Sequence, residues 1–240
     1  EGGAQSQDFE IKADEYEANK HYFLSHYFKE NYDRALAQLP IINSGINITR
    51  IEVWVTNKAG NFENARNIVA FADLGESNDN NIQSDYVRTA NGNTTTVYPH
   101  SEINILGEIT TTYPDVRNIN NVGNTLLGLG MTGGRDYEKI ESARLLSPHE
   151  YTVNERLGYI SLNATLNPDQ VLAVAYEYTV AGNVFKVGEF SNSAITAPDA
   201  LVVKLIKGTA FTPQLKSWSL MMKNIYNIGA YGINVFHHQT

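Results

Sequence analysis

The stretch "HYFLSHYF", His21 to Phe28, sets two histidines among tyrosine and phenylalanine rings. Imidazoles at this density could ligate zinc, and the rings could stack on a sugar or a base. A zinc pair on one helix needs histidines three or four residues apart. His21 and His26 are five apart, about 140° around a helix axis, so no metal is assigned to them. "ESNDNNIQSD" places Glu76, Asp79 and Asp85 among asparagines and serines. Clustered oxygens can hold calcium, but these acids lack the EF-hand order and the glycine at its sixth position. The segment is therefore read as solvated loop. The glycines of "LGLGMTGG" precede no lysine–serine pair and open no strand–glycine–helix unit, so no phosphate cradle is expected. No G-x-S-x-G elbow offers a serine nucleophile. Carboxylates spread along a chain cannot be paired across a cleft from sequence alone. His237 and His238 stand side by side, and on a strand they point to opposite faces. No catalytic, cofactor-binding or metal-binding residue is assigned, and the chain is read as no enzyme.

Recognition remains. Fourteen tyrosines and two tryptophans, Trp54 and Trp218, on a β-rich chain suit a carbohydrate-binding module on the cell surface, provided the rings are exposed. The 240 residues, 42% hydrophobic and 18% charged, are enough to bury a core. The net charge of −8 comes without a lysine/arginine block, so neither nucleic acid nor anionic lipid is an expected partner. The absence of cysteine excludes disulfides, thiolate metal sites and a cysteine nucleophile. The opening residues carry no signal-peptide pattern, and no apolar run is long enough to cross a bilayer as a helix. The strand-like ending "INVFHHQT" suggests a segment cut from a longer chain.

The elements that would position these residues follow from periodicity. "DFEIKA" fits an edge strand. Asp14 to Leu39 fits a helix, capped by Asp14 and stopped by Pro40. On it Phe23–Tyr27, Leu24–Phe28 and Phe28–Tyr32 are i,i+4 neighbours on a buried arc, with Lys29, Glu30 and Asp33 outside. Ile46 and Ile48 alternate, then Ile51, Val53 and Val55 do so after a phase change, which places a bulge near Thr49–Arg50. "NIVAFADLGE" is a second strand. Residues 77–134, rich in Asn, Thr, Gly and Ser, read as a long loop-rich insertion holding at most a short helix or strands. "LGYISLN", Val171 to Tyr178, "VFKVGEF" and "ALVVKLIKG" read as strands, with turns at Asn167–Asp169 and Ala181–Asn183. Thr212 and Pro213 open a second helix over 213–228, with Gly229 past its end. The sum is a mainly β, α+β chain. The expected fold is one soluble antiparallel β-sandwich domain over 1–240, jelly-roll-like, with two packed helices near 14–39 and 213–228.

Long segments of the chain resemble the SprA family, which includes Sov: "YEANKHYFLSHYF", "LPIINSGINITRIEVWVTN", "RNIVAFADLGE", "EYTVNERLGYISLNATLNPDQVLAVAYEYT" and "SWSLMMKNIYNIGAY". They run in this order from about Phe9 to Tyr231, thinly across 77–134. The resemblance implies a piece of a very large outer-membrane barrel of Bacteroidetes, the translocon of type IX secretion, needed for gliding motility and export of surface proteins. It implies a non-enzymatic interaction segment that does not itself span the membrane. Its partners would be other segments of the parent protein, secretion subunits or cargo. The family transfers no catalytic residue.

Overall fold

The run "VLAVAYEYTV" is apolar at nearly every position, a pattern that suits a strand covered on both faces rather than one. It forms β7 (Leu172–Val180), the centre of the fold. The computed structural model describes residues 12–60, 62–90 and 98–228, with positions 89 and 90 as backbone only. The first four residues of "DFEIKA", and Gly229, His237 and His238, lie outside the described residues.

One edge of β7 pairs along its whole length with β2 (Ile46–Val55), Ile46 facing Val180 and Val55 facing Leu172. The register shifts between Ile48 and Arg50, at the bulge that the phase change places there. The other edge is shared. Its first residues pair with β9 (Leu201–Lys207) and the rest with β8 (Asn183–Val187), across a turn with Ala181 and Gly182 at positive φ. β9 then pairs in parallel with β3 (Arg66–Phe71), β3 with β4 (Tyr137–Leu145), and β4 with the end of β2. The ring β2–β4–β3–β9–β7 closes on itself. This differs from the expected antiparallel sandwich. β2 carries a partner on each edge, and β3–β9 is parallel, so the large sheet curls into a barrel instead of facing a second sheet.

Alternate residues of all five strands point into the ring. They are Trp54, Ile68, Ala70, Ile140, Ala143, Ala173, Ala175, Leu201, Val203 and Leu205, joined by Val171 and Phe190. A ring this small has room for side chains and little else, so alanine recurs and one tryptophan takes the remaining space. The connection after β8 shuts one mouth. Glu52 accepts from the Ser191 N–H (2.8 Å) and hydroxyl (2.9 Å), Arg66 donates to the carbonyls of Ser191, Ile195 and Asp199, and Arg50 lies 3.8 Å over the Phe190 ring. At the opposite end Lys207 donates to the carbonyls of Pro168 (2.8 Å) and Gln170 (2.7 Å).

The outer face of the barrel packs into a second apolar cluster with Tyr22, Phe23, Leu24 and Phe28. Of the expected arc Phe23, Leu24 and Phe28 are buried but Tyr27 and Tyr32 only half so, and Lys29, Glu30 and Asp33 are exposed. Their element is not the expected helix over 14–39. A single 3₁₀ turn covers Ala13–Glu15, the chain turns at Asn19 with φ +56°, and His21–Phe23 is a strand, β1. Only His26–Ala35 is helical, α1. Tyr22 to His26 are buried at five successive positions, which no single helix arc allows; a strand running into a helix does. β1 pairs with β6 (Tyr159–Leu162), which pairs with β5 (Tyr151–Asn154). The expected helix over 213–228 is a 3₁₀ turn at Lys216–Leu220 followed by extended chain. Asn224 adopts φ +62°, and Met222 N–H bonds His21 O, Glu17 N–H bonds Ile225 O and Asn227 N–H bonds Glu15 O, each at 2.9 Å. Pairing along the N-terminal segment replaces the helical bonds. The described parts of the span 77–134 are more ordered than a loop: α2 (Asp85–Ala90), α3 (Ile109–Thr112), α4 (Val122–Gly128) and several 3₁₀ turns bury Ile82, Val87, Leu106, Ile109, Val116, Val122 and Leu126.

Trp54→Ala is expected to cost about 3–5 kcal/mol in urea unfolding, because the ring cannot collapse into the gap. Trp54→Phe should cost much less, since the indole N–H has no hydrogen-bond partner among the described residues. Equal losses would mean that the indole is not simply filling space. Gly158 has φ +67°, and a Cβ there would fall 2.2 Å from the Phe28 ring. Gly158→Ala is expected to lower stability by about 2–4 kcal/mol, and a loss below about 1 kcal/mol in the same assay would contradict this packing.

Candidate functional site

The residues that sequence singled out do not assemble. His21 bonds Ser161 Oγ (2.8 Å) through Nδ1 and Glu17 (2.9 Å) through Nε2. His26 faces elsewhere, with Nε2 3.0 Å from the Lys216 carbonyl. Asp79 and Asp85 are exposed, but Glu76 is only 3% exposed, so the solvated-loop reading fails at that residue. Among the described residues no three His, Cys, Asp or Glu side chains converge as a metal site would require. Trp54, one of the two proposed sugar platforms, is sealed inside the barrel. Trp218 is half-buried, 4.6 Å from the Phe211 ring centroid.

What assembles instead is a buried ionic cluster that sequence reasoning missed. Lys204 interrupts the apolar run "ALVVKLIK" on the outer face of β9 and is 0% exposed. Its Nζ lies 2.8 Å from Glu76 Oε1 and donates also to the carbonyl of Ala72. The same carboxylate oxygen is 3.0 Å from His26 Nδ1 and 3.3 Å from the His26 backbone nitrogen. Glu76 therefore caps α1, where Ser25 makes no side-chain cap, and a carboxylate suits that end of a helix. Asp73 accepts from the Gln83 (2.8 Å) and Ser84 (2.7 Å) N–H groups. Asn104 donates to the carbonyls of Asp73 (2.7 Å) and Glu76 (2.8 Å). Together these bonds tie the barrel, α1 and the helical span at one point. Burial pushes the Glu76 carboxyl up, but Lys204 and His26 outweigh it and bring it down to about 2. Burial dominates at Asp73 and raises it to about 6, against its two N–H donors and Lys204. A lone lysine inside an apolar strand was the visible signal: burying a charge demands a partner.

An accessible concavity lies elsewhere. A cleft of about 140 Å³ opens between α1 and the turn at Asn43–Gly45. Phe28, Ala35, Ile46, Leu157 and Val180 make its apolar floor, and Tyr27, Tyr32 and Tyr98 its walls. Asn31, Arg34, Asn43 and Arg156 stand on the rim.

A family model, SprA_N, described as motility related/secretion protein, matches residues 1–167. The chain belongs to the SprA_N family. No curated protein matches it. The matched part of this SprA_N chain holds β1 to β6 and α1 to α4, yet its barrel closes only with β7 and β9, beyond residue 167. No helix among the described residues is long and apolar enough to cross a membrane.

Lys204→Met strands the Glu76 charge and is expected to cost about 3–5 kcal/mol. The folded Glu76 carboxyl titrates below its ordinary 4.5, so its contribution is full above that pH and fades as pH falls towards about 2. The advantage of the native chain over Glu76→Gln in urea midpoints should vanish over that window. Asp73 has the opposite sign: its contribution is present below 3.8 and lost as pH rises through about 6. The native chain should weaken relative to Asp73→Asn over that second window. A pH-independent difference for either variant would contradict the ionic account.

Proposed function

We propose that this SprA_N chain is a non-enzymatic interaction segment of a type IX secretion translocon, serving protein export across the outer membrane and gliding motility. The match to the motility related/secretion family over residues 1–167 carries the reading. In it the chain is one domain of a much larger outer-membrane protein of Bacteroidetes, held in the cell envelope. It touches other segments of that protein, secretion subunits or cargo. Two features support a structural role. The five-stranded barrel is filled and shut at both mouths, so exported polypeptide passes beside it and not through it. Its most strongly shifted acids, Asp73 and Glu76, are 1% and 3% exposed, too enclosed to meet a substrate. A glycan-binding role has lost Trp54 as an anchor.

In cells making the parent protein, replacing residues 12–228 by a flexible linker is expected to abolish export of a reporter cargo and the spreading of colonies. Unchanged export would overturn the reading. Across Glu76→Gln, Asp73→Asn and Lys204→Met, export should follow the amount of folded protein. A variant that folds to the native level yet exports nothing would point to chemistry at the buried cluster instead.

A further inference from the structure

The chain carries eight arginines. Five hold a carboxylate: Arg50 with Glu52, Arg88 with Asp85, Arg117 with Glu189, Arg135 with Asp136 and Arg144 with Glu150. Arg66 is spent on three carbonyls at the barrel mouth. The other two, Arg34 and Arg156, have no carboxylate partner among the described residues, and both stand on the rim of the same cleft. In a chain with 26 acids against 18 lysines and arginines, two exposed guanidinium groups left without acids at one place form a local reversal of sign. No Asp or Glu lines the cleft. The nearest acids on α1 do not serve it: Glu30 accepts from Asn81, and Asp33 pairs with neither arginine.

The interior of the cleft specifies the rest of the ligand. Its floor is apolar and its walls are tyrosine rings, which favour an aromatic or branched apolar group. Its volume of about 140 Å³ is close to that of a cavity that takes one benzene. It is well short of the roughly 300 Å³ at which sites for free small molecules begin. One side chain fits, and the molecule bearing it must extend outside. Past the cleft lies Gly45, where a Cβ would meet nothing within 4 Å, so the approach is open to a backbone. Arg156 already steadies this turn through the carbonyls of Ile42 (3.1 Å) and Ser44 (2.6 Å). Arg34 is the more available cation, held among the described residues by Asn31 alone.

We propose that this cleft docks an extended polypeptide by one apolar side chain, preferably aromatic, whose neighbouring residue is acidic. The ring enters between Tyr27, Tyr32 and Tyr98, and the carboxylate is met by Arg34, with Arg156 adding field from the other side. The assignment deepens the export reading, since it names the chemistry of a contact that reading requires.

The test uses the purified full chain and fluorescein-labelled, end-blocked hexapeptides. Gly-Gly-Glu-Phe-Gly-Gly is compared with versions carrying Gln or Lys for Glu, and Ala for Phe. The Glu-Phe peptide should bind about tenfold tighter than the Gln version, and the Lys and Ala versions weaker still. Arg34→Glu should remove the preference for Glu over Gln and leave the unfolding midpoint near native, because Arg34 is exposed. Arg34→Lys should retain part of it. Raising NaCl from about 0.05 to about 0.5 M should weaken the Glu-Phe peptide more than the Gln-Phe one. Equal binding of the Glu and Gln peptides, or no binding of any, overturns the proposal. So does an undiminished preference in Arg34→Glu. Absence of peptide binding by a chain that export proves to need would reject the cleft and keep the translocon reading. Intact peptide binding in a chain that proves dispensable for export would reject the translocon reading and keep the cleft.

Discussion

The space inside a five-stranded ring governs this molecule. Once β2 pairs with both β7 and β4, the interior has a fixed volume in which large side chains must be offset by small ones, which explains five buried alanines beside Trp54, Phe190 and the branched residues. Every strand of the ring also has an outer face to cover, and β1, α1 and the helical span cover it. Each barrel strand is thereby gripped from two sides, and a shift in one register would disturb both clusters. The mouths add polar closure. Glu52, Arg50 and Arg66 hold the connection after β8 across one opening, and Lys207 gathers carbonyls at the other. A barrel so filled leaves no passage through it.

Part of this architecture was legible in the chain. The phase change at Thr49, the hairpin at Ala181–Gly182 and the runs forming β7 and β9 carry local signals that survive folding. Closure was not legible, because β3 and β9 meet in parallel across some 130 residues and nothing in either strand names its partner. "HYFLSHYF" misled in an instructive way. Its rings are buried under either period, so their density predicts burial but not the strand-to-helix break at Leu24–Ser25. Residues 77–134 look like loop by composition, yet bonds from Asp73, Asn104 and Arg117 to distant parts of the chain hold short helices that propensity alone would not stabilise.

The ionic cluster shows the same division. Glu76 reads as a solvated acid amid asparagines because its partners sit 50 and 128 residues away. Lys204 was the half that could be seen, a charge where strand alternation leaves no exit to water. The unpaired arginines of the cleft carry no local signature. They become visible only when every other arginine has been matched to its partner.

The extended segment at Met221–Asn227 has a mechanical consequence. It runs antiparallel to Glu15–Tyr22, so residues 12 and 228 lie at the same end of one short ladder. Tension applied through those two points would load the bonds at Asn227, Ile225 and Met222 one after another, as a zipper is opened, and not all at once in shear. The barrel lies behind that ladder and is spared until it has parted. Pulled at residues 12 and 228, this protein would lengthen first by peeling that segment away, while the filled ring and its two sealed mouths stayed whole.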